Sequence, residues 1–406
     1  MADTSAPANT LPEAANGTLP VPDAAAETVA AIAQAETVSA DEIALYDRQI
    51  RLWGLEAQNR IRNANILLVS IKAFANEVAK NLVLAGISSI TLADHEVVTE
   101  DDLGAQFFVS EADIGKNRAE AAAPEVRKLN PRVQVNVITT NVTSEQSEAF
   151  YKAFDVIIAT NLDFLSFTAL NAGARIANRP FYAGATHGMY GYIFADLGTH
   201  DFNIERAKSN RPTTKTPETA TRTVIDFTDK LSSDGKKIEL VTKRELYTPL
   251  LLVNTSPLDP TMQKDPRKLR KVHPLLTCVR TLWDYQRNGN GILPSHAPAD
   301  LQLFTTLAMQ KHKELKLPPN TLTGDFLKSF LANLGSEIAP VTAYLGGQLA
   351  QDVINVLGKR EQPIQNLMLF DGEECAGPVY ALHPIFPDNP IPAVPIVPPE
   401  AQVLVV

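Results

Sequence analysis

The turn after the first apolar run of the chain holds the first residues that could carry chemistry. A phosphate-binding turn at such a place uses glycines, because they let the backbone approach a phosphate closely and donate its N–H groups. Ser70, Ala73 and Ala75 stand where those glycines would be expected. Asp94 ends the next apolar run, 21 residues after Ala73, where an acid that binds a ribose would fall. The layout of a nucleotide site is present without its glycines, which favours a strand–helix turn kept for packing.

The most distinctive segment lies earlier, where YDRQIRLWG places two arginines and two aromatic residues between positions 46 and 54. The spacing fits an amphipathic helix with Ile50 and Trp53 facing inward and with Arg48 and Arg51 in solvent. On spacing alone, we favour this helix with solvated arginines.

The chain has two cysteines and seven histidines, and neither set predicts a reactive centre. Cys278 lies on an apolar helical run, which is typical of a buried structural thiol. Cys375 lies in an acidic turn, where neighbouring carboxylates discourage a thiolate. His187, in a turn that contains a glycine, fits a loop histidine satisfied by the backbone. The histidines have no metal-ligand spacing, so we expect no metal site.

The elements that must position these residues alternate between strand and helix. Helical spacing over 75–83 and over 119–129 separates short apolar runs that read as buried strands. The predicted strands are 66–69, 90–93, 133–137 and 156–159, with a closing pair at 366–371 and 378–382. This alternation predicts an α/β fold with a doubly wound, Rossmann-like parallel sheet.

Composition divides the chain into a core and two tails. Residues 1–40 lack aromatic residues, Lys and Arg, and 384–406 are rich in proline, so we expect a disordered and an extended tail. The first part of the Rossmann domain spans 41–200 and its closing part 334–383. Between them, 201–333 predict a linker and a mainly helical insertion, with the Thr-, Ser-, Lys- and Asp-rich stretch 203–240 as an insertion or a flexible linker.

Charge and hydropathy exclude several classes of function. The 406 residues include 37 Lys and Arg against 46 Asp and Glu, and a net charge of −9 argues against nucleic-acid binding by the chain as a whole. We find no apolar stretch long enough for a membrane span and no secretory signal, so we expect an intracellular protein. Two cysteines are too few for a disulfide scaffold or a four-cysteine zinc site.

Beyond these patterns, the chain resembles a known family. The matching segments are YDRQIRLWG with the following LEAQNRIRNANILLVS, then 80–86, 94–96, 104–107, 117–120, 129–131, 190–198, 243–249, 346–351 and 370–372. Together they closely resemble the small, non-catalytic subunits of heterodimeric SUMO-activating enzymes, relatives of the ThiF- and MoeB-type adenylating proteins. The resemblance covers nearly all of 42–383 apart from the middle.

The resemblance implies a division of labour between two similar adenylation-type chains. The larger partner would hold ATP, Mg²⁺ and the catalytic cysteine, adenylate the C-terminus of SUMO, capture it as a thioester and pass it to a conjugating enzyme. The smaller chain would lend an arginine from its N-terminal helix, with Arg48 as the catalytic and cofactor-binding candidate and Arg51 as the weaker one. A mainly nuclear location, with the cytoplasm as a second, also follows from the resemblance alone.

Departures from the active members indicate an inactive copy of the adenylation fold. Ala105 stands where the active relatives have an arginine, and Arg118 falls near the position of a lysine that helps to bind ATP and magnesium. With the glycines also missing, we expect this chain alone to bind neither ATP nor Mg²⁺ and to be inactive without its partner.

Three alternatives stay open at this point. The first is the equivalent subunit for another ubiquitin-like protein such as NEDD8, although that subunit is usually longer, with a large helical insertion. The second is a self-sufficient adenylating enzyme or an NAD-dependent oxidoreductase, against which the missing glycines argue. The third is an interaction scaffold without a catalytic contribution.

Overall fold

The computed structural model describes residues 40–384 except 145, 211 and 232–234. Apart from Ala40 and Pro384, the two predicted tails lie outside the described residues. The described residues divide into two compact units, of which the first ends at Leu55 and the second begins at Glu56. None of the helices in the described part of the chain is long and apolar enough to cross a membrane.

Helices and strands alternate along the first half of the chain, and helices dominate the second half until the closing strands. The strands are β1 Asn65–Val69, β2 Ser89–Ala93, β3 Gln134–Ile138, β4 Val156–Thr160, β5 Phe181–His187, β6 Tyr190–Asp196, β7 Thr199–Ala207, β8 Arg222–Leu231, β9 Lys237–Leu246, β10 Leu367–Asp371 and β11 Val379–Tyr380. The helices are α1 Ala40–Trp53, α2 Leu55–Arg62, α3 Ala73–Ala85, α4 Arg118–Leu129, α5 Glu148–Lys152, α6 Phe164–Ile176, α7 Leu250–Val253, α8 Pro260–Gln263, α9 Pro266–Leu269, α10 Leu275–Asn288, α11 Pro298–Glu314, α12 Gly324–Asn333 and α13 Ala339–Gly358. Short 3₁₀ turns cover Glu100–Gly104, Glu111–Asp113 and Pro319–Thr321.

An eight-stranded sheet forms the core, in the order β11-β10-β6-β5-β4-β1-β2-β3. The five strands from β5 to β3 in that order are parallel, and β6, β10 and β11 add to one side in antiparallel pairs. The central strand β1 pairs Leu67 with Thr91 on one side and with Ile157 on the other. Its apolar run is buried on both faces, as expected for a parallel strand covered by helices. The predicted doubly wound sheet and all six of its predicted strands are confirmed.

The interpretation of 203–240 as a flexible linker is wrong. Within this range, residues 203–207, 222–231 and 237–240 belong to a three-stranded antiparallel sheet in the order β7-β9-β8. The buried face of β9 carries Glu239, Lys243 and Glu245 beside a single apolar residue, Val241. Each of these charges is paired, for example Lys243 Nζ with Glu218 at 2.7 Å. Since the strand buries ion pairs rather than alternating apolar residues, the period-2 signal that sequence reasoning relies on is missing.

The predicted helical part of the insertion is confirmed over α7 to α12. Its centre is Trp283 of α10, which is fully buried and stacks on Phe164 with ring centroids 5.6 Å apart. The indole Nε1 donates to Tyr192 Oη at 3.0 Å, which joins the helical part to the main sheet through β6. This insertion therefore shares one hydrophobic core with the Rossmann domain.

Helix α13 packs closely against α3, the helix that follows the glycine-free turn. A Cβ atom built on Gly346 would lie 2.4 Å from Cβ of Glu77, so only glycine permits the approach at this point. Gly346 is therefore the residue that allows the two helices to approach closely. The contact also brings the residues just before α13 to the beginning of α3.

Candidate functional site

The strand order reverses between β4 and β1, because the chain passes from β1 outward through β2 and β3 and returns to β4 on the other side. In open α/β sheets, ligands bind in the crevice outside the carboxyl ends of the strands at such a switch point. Ser70 follows β1, Asp94 follows β2 and Asn161 follows β4, so all three lie at this edge. This is where a nucleotide site would lie in a Rossmann-like fold.

The turn after β1 has no glycine but contains one residue with a positive φ. Ser70 has a φ of 67°, in the left-handed region that favours glycine. Its backbone is fixed from both sides, because its N–H donates to the carbonyl of Ala93 at 2.8 Å and its carbonyl accepts from Thr160 Oγ1 at 2.7 Å. The next N–H, from Ile71, donates to Asp94 Oδ2 at 2.7 Å. Hydrogen bonds to Ala93, Thr160 and Asp94 of the same chain therefore hold this turn in place.

The N-terminus of α3, where a phosphate would bind, is occupied by a carboxylate of the same chain. The N–H groups of Ala73 and Phe74 donate to the Glu337 carboxylate at 3.2 and 3.4 Å. The side-chain amide of Asn161 also donates to it, at 2.5 Å. Burial raises the pKa of Glu337, while these backbone donors and Lys72 oppose the shift. The backbone N–H groups of Ala73 and Phe74, which have no partner within the helix, are therefore already bonded to an anion.

Asp94, the predicted position for a ribose-binding acid, is engaged in a buried ion pair. Arg118 Nη1 lies 2.9 Å from Asp94 Oδ2, and Arg118 Nε lies 3.3 Å from Asp102 Oδ2. Both pairs are closed to solvent, with Arg118 3% exposed, whereas Glu96, at 3.1 Å, is more than half exposed. Burial lowers the pKa of Arg118, but Asp94 and Asp102 outweigh it and raise the value overall. Arg118 thus lies at the candidate site, where it satisfies two acids of its own chain.

A cavity of about 370 Å³ remains beside these groups, lined by residues that include Lys72, Asn161, His187 and Glu337. Burial lowers the pKa of His187 to about 4, so its ring is neutral at physiological pH. Its Nδ1 accepts the N–H of Gly335 at 3.3 Å, in agreement with the predicted backbone-satisfied histidine. The residues present do not fit an ATP phosphate, because Glu337 fills the helix terminus and adds a negative charge there.

Arg48 and Arg51 both lie on α1, which confirms the predicted helix. Arg51 Nε pairs with Asp47 one turn earlier, at 3.1 Å, and Arg48 is exposed. Both arginines belong to the first of the two units, and the switch-point residues belong to the second. A role of either arginine in the site of another chain stays a prediction.

The two cysteines differ in environment, as expected. Cys278 is fully buried on α10, and burial raises the pKa of its thiol far above the usual range, so no thiolate forms there. Cys375 is exposed, in the turn that follows β10. Its Sγ lies 3.8 Å from the carbonyl of Gly372.

One group of His, Asp and Glu side chains in the described part of the chain comes close enough to consider for a cation. His273 Nε2 lies 3.3 Å from Asp371 Oδ2 and 3.5 Å from Glu374 Oε2. Nδ1 of the same ring accepts the N–H of Leu275 at 3.2 Å. Nε2 of this ring is buried without a hydrogen-bond partner in the described part of the chain, and the two carboxylates approach it in distance only, so the group by itself does not establish a cation site.

Sequence reasoning missed Glu337, Asn161 and the His273 cluster. Glu337 and Ala73 are 264 residues apart, and no motif links them. The available signal for Asn161 was its position directly after a predicted parallel strand, at the edge where such sheets bind ligands.

Comparison with known proteins places the chain among adenylation-type folds. The ThiF family model matches residues 46–384. Over 350 residues the chain is 35% identical to DNA damage tolerance protein RHC31 of Saccharomyces cerevisiae, covering 85% of this chain and 98% of that protein. It is 35% identical to SUMO-activating enzyme subunit 1 of Xenopus laevis, and the match covers 85% of this chain and 97% of that protein. It is 33% identical to the human protein of the same name, and the match covers 86% of this chain and 97% of that protein.

Proposed function

The chain belongs to the ThiF family, and on that premise we propose that it is the regulatory subunit of a heterodimeric SUMO-activating enzyme. The names of its relatives support this assignment over the NEDD8 subunit, since they are called subunit 1 of a SUMO-activating enzyme in several vertebrates. The relatives match over nearly their whole length, which supports a whole-chain correspondence rather than a shared domain.

One structural observation carries the regulatory role. The N-terminus of α3 holds Glu337, and Asp94 is bound to Arg118, so the groups that would bind a phosphate and a ribose are used within the chain. A chain with its nucleotide site filled in this way contributes to adenylation only through a partner. The self-sufficient adenylating enzyme and the oxidoreductase both require the site to be open.

In the proposed assembly, ATP and Mg²⁺ bind to the partner subunit, which also carries the catalytic cysteine. SUMO is adenylated and captured there before it passes to the conjugating enzyme. Arg48 of this chain supplies positive charge to the partner's site, with Arg51 as the weaker candidate. A guanidinium stabilises the negative charge that develops on the phosphate during adenylation, and an exposed position on α1 leaves Arg48 accessible to a second chain. The complex would act mainly in the nucleus, with the cytoplasm as the second location.

Three measurements test this function. Co-purification from the source cell should identify a larger, cysteine-bearing partner of the same family. The isolated chain should show no ATP–pyrophosphate exchange, and the reconstituted pair should show it only with its modifier. Thioester assays with SUMO, NEDD8 and ubiquitin should yield a SUMO thioester on the partner, including when Cys278 and Cys375 of this chain are both replaced by alanine. Exchange by the isolated chain, or preferential thioester formation with NEDD8, would refute the proposal.

A further inference from the structure

The Glu337 carboxylate occupies a position that is built for an anion. It accepts hydrogen bonds from the N–H groups of Ala73 and Phe74 and from the amide of Asn161. These donors come from the first turn of α3 and from the end of β4, two elements that flank the switch point. Backbone N–H groups at a helix N-terminus and a side-chain amide make the same kind of donor set that holds phosphate in nucleotide sites.

The segment that carries Glu337 is anchored on both sides. On its N-terminal side, the carbonyl of Ser336 accepts the N–H of Gly188 at 2.7 Å, and Gly335 donates to His187. On its C-terminal side, α13 begins two residues later and packs against α3 through Gly346. The backbone on both sides of Glu337 is therefore held by contacts to other elements of the fold.

Charge makes this arrangement selective. A phosphate that entered the N-terminus of α3 would have to displace the Glu337 carboxylate or lie beside it. Two negative charges in direct contact repel each other strongly in a partly buried site. Lys72, which lines the adjoining cavity and lowers the pKa of Glu337, is a cation that attracts a phosphate once the carboxylate is gone. The missing glycines weaken phosphate binding, whereas Glu337 opposes it directly.

We propose that Glu337 is the specificity-determining residue that excludes phosphate from this chain, acting as an internal anion in the place of the nucleotide. The inference rests on the proposed function only in taking this chain as the subunit that holds no ATP. The inference adds the reason why this chain holds no ATP, which is that the Glu337 side chain closes the site. It predicts that removal of this side chain reopens an anion site at the N-terminus of α3.

Inorganic pyrophosphate is the probe, titrated calorimetrically into the full-length chain and its Glu337→Ala variant. Pyrophosphate should bind the variant at least ~10-fold more tightly than the wild type, because two backbone donors and the Asn161 amide lose their carboxylate. Glu125→Ala, at an exposed carboxylate on α4, is the matched control and should behave as the wild type. Equal pyrophosphate affinity of wild type and folded Glu337→Ala would overturn the proposal.

The isosteric Glu337→Gln variant covers the case in which the alanine variant does not fold. It retains the shape and an acceptor oxygen but removes the charge, so it should gain pyrophosphate affinity, to a smaller extent. No gain by a folded glutamine variant overturns the proposal as well. The wild-type chain separates the two hypotheses, because ATP–pyrophosphate exchange by the wild type refutes the regulatory function, whereas failure of the variants alone refutes only the role of Glu337.

Discussion

Arg118 Nη1 lies 2.9 Å from Asp94 Oδ2, and each side chain of this pair is only 3% exposed. The same carboxylate oxygen accepts the N–H of Ile71 in the turn after β1. Asp94, which follows β2, therefore fixes the turn after β1. Arg118, at the start of α4, in turn fixes Asp94. In this chain, the residues at the place of a nucleotide site form a structural network that connects the turn after β1, the end of β2 and the start of α4.

Replacing Arg118 by methionine should destabilise the chain by about 3–5 kcal/mol, because Asp94 and Asp102 would remain buried without their cation. Urea unfolding at neutral pH measures the loss. The control is Lys128→Met, which breaks the exposed pair with Glu125 and should cost less than about 1 kcal/mol. An Arg118→Met variant as stable as this control would show that the buried network contributes little to the fold.

The sequence allowed the parallel sheet and the position of its switch point to be predicted, because apolar runs such as Ile66 to Val69 report burial on both faces. It did not allow β9 to be predicted, since that strand buries paired charges, including Lys243. Glu337 was also beyond reach, because its partners lie 264 and 263 residues away and pairing over such distances leaves no local pattern. Local periodicity thus predicts helices and strands. Ion pairs and helix caps that join distant segments can be identified only when the fold is known.

The adjacent glycines of α13 provide a matched test of helix packing. Gly346→Ala should destabilise the chain by about 1–3 kcal/mol, because the new methyl group would lie 2.4 Å from Cβ of Glu77. Gly347→Ala should leave stability unchanged or raise it by about 0.5–1 kcal/mol, since a Cβ there meets no atom within 4 Å and alanine favours the helix. Thermal and urea unfolding of both variants check the difference. Equal effects of the two substitutions would contradict the close approach of α13 to α3.

Asp352 predicts a specific pH dependence of stability. Burial raises its pKa from 3.8 to about 6, even though Tyr182 Oη donates to Oδ2 at 2.7 Å. Because the folded-state pKa is the higher one, this group stabilises the fold fully below about pH 4, and its contribution is lost as the pH rises through about 6. The loss is about 3 kcal/mol from a shift of about two units.

Asp352→Asn retains the shape and removes the titration. The free energy of unfolding of this variant minus that of the wild type should therefore rise by up to about 3 kcal/mol between pH 4 and pH 7. Buried groups common to both proteins, such as His187, cancel in the difference. Asp325→Asn, which removes an exposed carboxylate, is the matched control for the loss of one charge. A flat difference for Asp352→Asn would mean that its carboxyl group titrates normally in the fold.

The proposed role of Arg48 makes the sharpest functional prediction. In the reconstituted heterodimer, Arg48→Ala should slow formation of the SUMO adenylate on the order of 100-fold or more, because one guanidinium that stabilises developing phosphate charge is lost. Arg51→Ala should have a smaller effect, since Arg51 is already paired with Asp47. Arg267→Ala, at an exposed arginine on α9, is the control for charge alone and should not change the rate.

Single-turnover adenylation with saturating ATP and SUMO measures these rates, and size-exclusion chromatography verifies that each variant still assembles with the partner. Arg48→Lys refines the test, because an ammonium retains the charge and loses the forked donors, so recovery of part of the rate would separate charge from geometry. An Arg48→Ala heterodimer that assembles and adenylates SUMO at the wild-type rate would instead support the interaction scaffold, in which this chain positions its partner and contributes no group to the reaction.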